Sequence, residues 1–147
     1  MPLGEYAQNL GPHFAPKIKV AIANDPNWSV GSQSMPRTAL TLFGLVALID
    51  TGSDVTRIDE EIAKRLNLVP KGNISSNFTD IEVPTSIYSL QVCLPESKFV
   101  MGGEFTAVSL RASQNFHDAI LGLDFLEYFD LRIAPKTKLV EMTFVGV

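Results

Sequence analysis

The sequence predicts a mainly β fold with two short helices, and three observations carry that prediction. Polar and apolar residues alternate over Lys17-Ile18-Lys19-Val20-Ala21-Ile22-Ala23, the period of a half-buried strand. The apolar run from Leu40 to Ile49 passes directly into the polar turn Asp50-Thr51-Gly52-Ser53, as a core strand does where it reaches the surface. Helix grammar is confined to two segments, 59–66 and 123–128. The 147 residues fit one domain of ordinary size. Hydrophobic residues reach 46% while charged residues stop at 19%, below the roughly 25% usual in soluble domains. Such a chain has ample apolar surface to bury, part of it against a second copy of itself.

Taken in order, residues 1–16 contain Pro2, Gly4, Gly11, Pro12 and Pro16 and read as an irregular N-terminal arm. After the strand 17–23, residues 24–38 are dense in turn formers and read as a surface loop insertion, tacked down by Trp28, the only tryptophan. The strand 40–49 and its polar turn come next. Asp59-Glu60-Glu61 then places acids in the first turn of a helix whose later residues include Lys64 and Arg65, matching the helix dipole. Glu60–Lys64 and Glu61–Arg65 are spaced as surface pairs, with Ile62 and Leu66 on the inner face. Residues 73–78, 81–83 and 87–94 read as strands of a hairpin turning at Thr79-Asp80. Two more strands, 99–101 and 105–110, are expected around a Gly102-Gly103 turn. The helical stretch 123–128 precedes a last hairpin, 131–133 with 139–144, across Pro135-Lys136-Thr137-Lys138.

Several chemistries are excluded at once. A net charge of −4 without a basic cluster speaks against nucleic acid or an anionic membrane as partner. One cysteine, Cys93, permits no internal disulfide, and two histidines, His13 and His117, permit no multi-histidine metal site. Neither a metal nor a cofactor is therefore expected. The N-terminus lacks the charged start and apolar core of a signal peptide, and the ten-residue run 40–49 is half of what spans a bilayer. A cytoplasmic setting is the expectation, in which the sequons at Asn27, Asn73 and Asn77 are chance. Cys93 lies in an apolar strand pattern and reads as core. Phe125, Tyr128 and Phe129 have core spacing, whereas His117, Asp118, Asp124 and Asp130 read as loop, cap or surface residues.

The turn 50–53 is where chemistry concentrates. A buried strand delivers the Asp50 carboxylate into a loop, Gly52 permits close approach of another backbone, and Thr51 and Ser53 supply hydroxyls. Those four residues alone are equally ordinary turn vocabulary, with Asp50 capping its own loop. Their surroundings along the chain say more. Leu48-Ile49-Asp50-Thr51-Gly52-Ser53, then a helix and a β-hairpin, then Ala119-Ile120-Leu121-Gly122-Leu123-Asp124-Phe125-Leu126, resembles the retropepsin-like aspartic proteases over roughly 17–144. The two motifs lie 72 positions apart, Gly122 against Asp50.

That resemblance implies a closed β-barrel-type domain, homodimeric, with the active site on the two-fold axis. It implies that Asp50 is the catalytic carboxylate, that the Thr51 hydroxyl reaches across the axis, and that Gly52 meets the substrate backbone with Ser53 in the small position behind it. Ile120, Leu121 and Gly122 become the segment supporting the loop. Asp54 matches an acidic substrate-contacting position that in retroviral members pairs with an arginine. Here Leu123 stands where that arginine would be, leaving Arg57 or solvent as the partner of Asp54. The hairpin about 73–94 takes the place of the flap, with Asn77, Phe78 and Thr79 as candidate substrate contacts near a tip that is poor in glycine.

Peptide hydrolysis without a metal or covalent intermediate needs one group to activate water and another to protonate the substrate. Two carboxylates sharing a proton supply both, a general property of aspartic-protease dyads. This chain has one Asp-Thr-Gly turn, so two copies of Asp50 must meet across a two-fold axis, with the apolar strand 139–147 helping to join the chains. The implied activity is an aspartic endopeptidase acting on peptides or proteins. A catalytically silent peptide-binding or dimerisation module of the same fold is the alternative, and an unrelated barrel holding a small ligand a third.

Overall fold

The computed structural model describes residues 15–29, 34–78, 81–110 and 117–146. The arm up to residue 14, residues 30–33 of the surface loop, the hairpin tip Thr79-Asp80, residues 111–116 and Val147 lie outside the described residues, as do the side chains of 73–78 and 81–84. Among the described residues, nine strands and two short helices succeed one another: β1 Lys17–Ala23, β2 Thr41–Ile49, β3 Arg57–Asp59, α1 Glu60–Arg65, β4 Gly72–Phe78, β5 Ile81–Leu94, β6 Phe99–Val108, β7 Ala119–Leu121, α2 Leu123–Leu126, β8 Phe129–Ala134 and β9 Leu139–Phe144.

Six strands close into a barrel in the order β1-β2-β7-β3-β6-β5, and β5 returns to pair with β1. Closure depends on a local irregularity. Val20 pairs with Leu45 but Ile22 pairs with Leu42, so Phe43 and Gly44 of β2 together face one residue of β1. Gly44 takes φ +67° there, a conformation that favours glycine. Past this bulge β1 turns to β5, placing Ala21 opposite Cys93 and Ile22 opposite Val92. Strand β4 extends the sheet beyond β5, while β8 and β9 form a separate two-stranded antiparallel sheet.

Inward residues of the ring, among them Ile22, Ala47, Ile58, Leu90, Val92 and Leu121, are fully or almost fully buried. Helix α1 closes the barrel with Ile62 and Leu66, and α2 adds Phe125. Phe99 joins the barrel to the β8–β9 sheet, its ring lying 5.4 Å from Phe125, 4.9 Å from Phe129 and 5.4 Å from Phe144. The closed barrel, the two helices and the core roles of Phe125, Phe129 and Cys93 agree with the expectation from sequence. Burial pushes the Cys93 thiol up to about 12, which leaves it inert as a nucleophile.

Five expectations need correction. Gly102-Gly103 is no turn: β6 runs unbroken through it, and the chain reverses instead at Pro95-Glu96-Ser97-Lys98, with Lys98 at φ +56°. Gly102 is needed because the Trp28 ring lies on it, so that a Cβ there would come too close to the ring carbons for both to fit. Trp28 also donates from Nε1 to the Ser34 carbonyl at 2.9 Å, and thereby does tack the loop down. The strand pieces 81–83 and 87–94 are one fourteen-residue strand. Residues 57–59 form β3, which is too short to show a period, so Asp59, read as the start of the helix, instead ends a strand and caps the helix. The helical stretch 123–128 stops at Leu126, because Phe129 already belongs to β8. On α1 the pair that forms is Glu61–Lys64, at 3.9 Å and well exposed, a contact worth little.

Candidate active site

Asp50 is the first residue beyond β2. Its backbone N–H donates to the Leu121 carbonyl at 3.1 Å, extending the parallel β2–β7 pairing of Leu48 with Ile120 and Ile49 with Leu121. Its own carbonyl accepts from the Ser53 N–H at 3.1 Å, closing the turn. The carboxylate is half-buried, and its Oδ1 accepts from the Gly52 N–H at 2.9 Å. A Cβ on Gly52 would stand 3.2 Å from that oxygen, so glycine keeps the carboxylate clear. Thr51 and Gly52 are exposed beside it. Hydrogen bonds thus fix the turn while one carboxylate oxygen keeps no partner within it.

Gly122 locks the loop from behind. A Cβ there would lie 2.5 Å from the Val55 carbonyl oxygen and 2.8 Å from that of Ser53, so only glycine lets the two backbones meet. The Ser53 carbonyl accepts from the Leu123 N–H at 2.8 Å, and the Asp54 carbonyl from the Asp124 N–H at 3.2 Å. Buried Thr56 is the hub: its hydroxyl accepts from the Gly122 N–H at 3.1 Å and donates to Asp124 Oδ1 at 2.7 Å. Ser53 donates its hydroxyl to the Val55 carbonyl at 2.9 Å and accepts from Arg57 Nη1 at 3.0 Å. The loop, β7 and the start of α2 are therefore tied into one body.

The structure brings together Asp50, Thr51, Gly52, Ser53, Ile120, Leu121 and Gly122, all expected at the site. Ile120 is in register beside the loop and packs with Val108 and Leu110, while Leu121 points into the main core. Asp54 is exposed, and Arg57 bonds Ser53 instead; no ion pair joins Arg57 to Asp54 among the described residues. Asn77 and Phe78 lie at the distal end of β4, where Phe78 pairs with Ile81, and Thr79 lies outside the described residues. Thr56 and Asp124 carry no sequence signal that assigns them to the site. A buried hydroxyl six residues after Asp50 becomes meaningful only once the fold sets it against Gly122.

Asp118, expected as a loop, cap or surface residue, is buried: its Oδ2 accepts from the Val46 N–H at 2.8 Å and its own N–H donates to the Val46 carbonyl at 2.8 Å. Its role is to clasp the entry of β7 to β2. Neighbouring His117 is buried too, and its Nδ1 has no hydrogen-bond partner among the described residues. Burial, with Lys17 nearby, holds the imidazole below its ordinary value, against the opposing pull of Asp118. Two surface cavities are lined by other residues than the Asp50 loop. One of about 480 Å³ is lined by Ile18, Leu94, Pro95 and Met142, and one of about 320 Å³ by Asp25, Trp28, Leu68 and Gln91. Among the described residues, no helix is long and apolar enough to cross a membrane, and no three His, Cys, Asp or Glu side chains gather as metal ligands would.

No protein-family model matches this chain, and no curated protein matches it. Solved structures do. An EIAV protease complexed with the inhibitor HBY-793 is similar at 16% identity and a TM-score of 0.47, over 80% of this chain and 89% of that one. The retroviral protease-like domain of Ddi1 from Leishmania major is similar at 14% identity and a TM-score of 0.47, over 91% of this chain and 92% of that one. At 14% identity and a TM-score of 0.49, over 89% of this chain and 94% of that one, the chain is similar in fold to a retropepsin-like aspartic protease from Rickettsia conorii.

Proposed function

We propose that this chain is an aspartic endopeptidase, hydrolysing peptide bonds with a water held between the Asp50 carboxylates of two copies. The observation that carries the reading is the Asp50 loop itself. A carboxylate is presented by a rigid turn, with Oδ1 held by the Gly52 N–H at 2.9 Å and Gly122 fitting under the loop where no side chain has room. Such pre-organisation is what proton transfer needs, since the donor and acceptor must already be in place when the water attacks. One carboxylate cannot be base and acid in the same step, and Asp50 is the only acid in the turn 50–53. A second copy related by a two-fold axis supplies the other. With the two carboxylates sharing one proton, the ionised member takes a proton from water as the protonated member gives one to the substrate carbonyl. Exposed Thr51 and Gly52 then face the axis and the peptide.

Cleavage of a diverse peptide library between acid and neutral pH tests this reading, with Asp50→Asn as control. Cuts made by the wild type, and lowered about a thousandfold or more in the variant, are expected. Equal cutting by both proteins would overturn the assignment. Binding of peptides by both, with cutting by neither, would favour the silent peptide-binding module.

A further inference from the structure

We infer that Arg57 and the sheet face around it form a subsite for an acidic side chain of the peptide, one or two residues from the scissile bond. The inference rests on the protease reading for the word scissile, but its geometry stands without it. Arg57 opens β3, where it is in register with Thr106 of β6 and Ile120 of β7. Residues so paired project from the same face of a sheet. Because Ile58 points into the core with no exposure, Arg57, Thr106 and Ile120 project from the opposite face. This is the face on which the catalytic loop lies: Arg57 Nη1 donates to Ser53 Oγ at 3.0 Å, and Ser53 in turn donates its N–H to the Asp50 carbonyl at 3.1 Å. Two hydrogen bonds separate the guanidinium from the catalytic residue. Joined through Ser53 to the backbone of Asp50, the guanidinium neighbours the proposed scissile bond, and a peptide strand that advances about 3.3 Å per residue brings its nearest side chains to that region.

The cation is unusually short of partners. Among the described residues, its buried Nε has no acceptor, and the buried hydroxyl of the adjacent Thr106 is likewise without a partner. Among the described residues no carboxylate makes an ion pair with Arg57, and the exposed Asp54 three residues earlier stays apart from it. Of the four N–H groups on the two terminal nitrogens, Ser53 takes one. Half-buried arginine stripped of water along one edge, and given no counter-charge, is stabilised by an incoming anion. The planar fork favours a carboxylate, which it can bind through two parallel hydrogen bonds. An amide of the same shape carries no charge and presents a single acceptor oxygen, so the site separates Asp from Asn and Glu from Gln in a substrate.

Matched peptides differing only as Asp/Asn or Glu/Gln, at each of two positions on either side of the cut, provide the test. Wild type is expected to prefer the acid over its amide by about tenfold or more in kcat/KM at one of these positions. That ratio should fall to near one in Arg57→Gln, persist in Arg57→Lys, and invert toward Lys-containing peptides in Arg57→Glu, with folding of each variant checked by circular dichroism. An acid-to-amide ratio that is the same in wild type and Arg57→Gln would overturn the subsite while leaving the protease reading in place. Calorimetric binding of the same peptides to Asp50→Asn protein separates the two ideas. Acid-selective binding that depends on Arg57, without any cleavage by wild type, would support the subsite and sink the protease. Binding without acid preference, or no binding of any peptide, would sink the subsite.

Discussion

Asp50 is held in place by residues that do no chemistry, and their contributions can be measured separately. Gly122 has no room for a methyl group, because a Cβ would stand 2.5 Å from the Val55 carbonyl oxygen. Backbone, unlike a flexible side chain, cannot step aside. Gly122→Ala should destabilise the fold by roughly 2 kcal/mol and lower peptide cleavage, read from urea denaturation and kcat on the same samples. Thr56 makes a different kind of contribution. Replacing it with Val keeps the volume but leaves the buried Gly122 N–H without an acceptor and Asp124 without a donor. A loss of about 1–3 kcal/mol is expected. A Thr56→Ser variant, which restores the hydroxyl, should recover most of it; equal losses in both would show that the methyl group matters instead.

At the scale of an element, β7 is three residues long, yet it reaches both β2 and β3 and ends at the loop-supporting Gly122. Its entry is secured by Asp118, which exchanges two hydrogen bonds with Val46, and by His117, buried with Nδ1 unpartnered among the described residues. Burial first, and Lys17 second, lower the His117 proton affinity in the folded chain, with Asp118 opposing them. The unfolded chain therefore binds this proton at a higher pH than the folded chain does. Stability from His117 is complete above its ordinary value of 6.5, and it declines as pH falls below that value towards the depressed folded one. Urea denaturation between about pH 5 and 7.5 should show wild type losing stability on acidification more steeply than His117→Gln. Parallel curves for the two proteins would remove His117 from the account.

For the whole molecule, the proposed chemistry requires two chains. We propose that strand β9 helps to join them. It pairs with β8 alone among the described residues, and Leu139, Phe144 and Val145 are 41%, 48% and 56% exposed. An apolar strand with a free edge tends to pair with another. Activity per chain should fall on dilution below the dimer dissociation constant, and deleting residues 143–147 should raise that constant. Removal of Phe144 also takes away ring contacts to Phe99 and Phe129, so sedimentation of the shortened chain must accompany a check of its thermal stability. A fully active protein that sediments as a monomer at assay concentration would defeat the two-chain mechanism.

Strands β1 and β2, the first helix, the last hairpin and the Asp50 turn were legible in the sequence because each is written in a local pattern. Strand β1 alternates, α1 carries its charges in dipole order, and Asp50-Thr51-Gly52-Ser53 comes straight after an apolar run. Local pattern also misled where a residue answered to a distant partner. Gly102-Gly103 has the vocabulary of a turn, but Gly102 exists to receive Trp28, seventy-four positions earlier. Asp118 looks like a loop acid, yet it bonds Val46. Strand β3 is three residues long, and only its pairing with both β6 and β7 makes it a strand. The sequence by itself determined which carboxylate the loop carries and which segment lies beneath it. Tertiary structure alone decided that Thr56 and Asp124 brace that segment and that Arg57 bonds Ser53 rather than Asp54. The physical reason is that these contacts join residues whose spacing carries no period, so barrel closure has to bring them together before any of them acquires a partner.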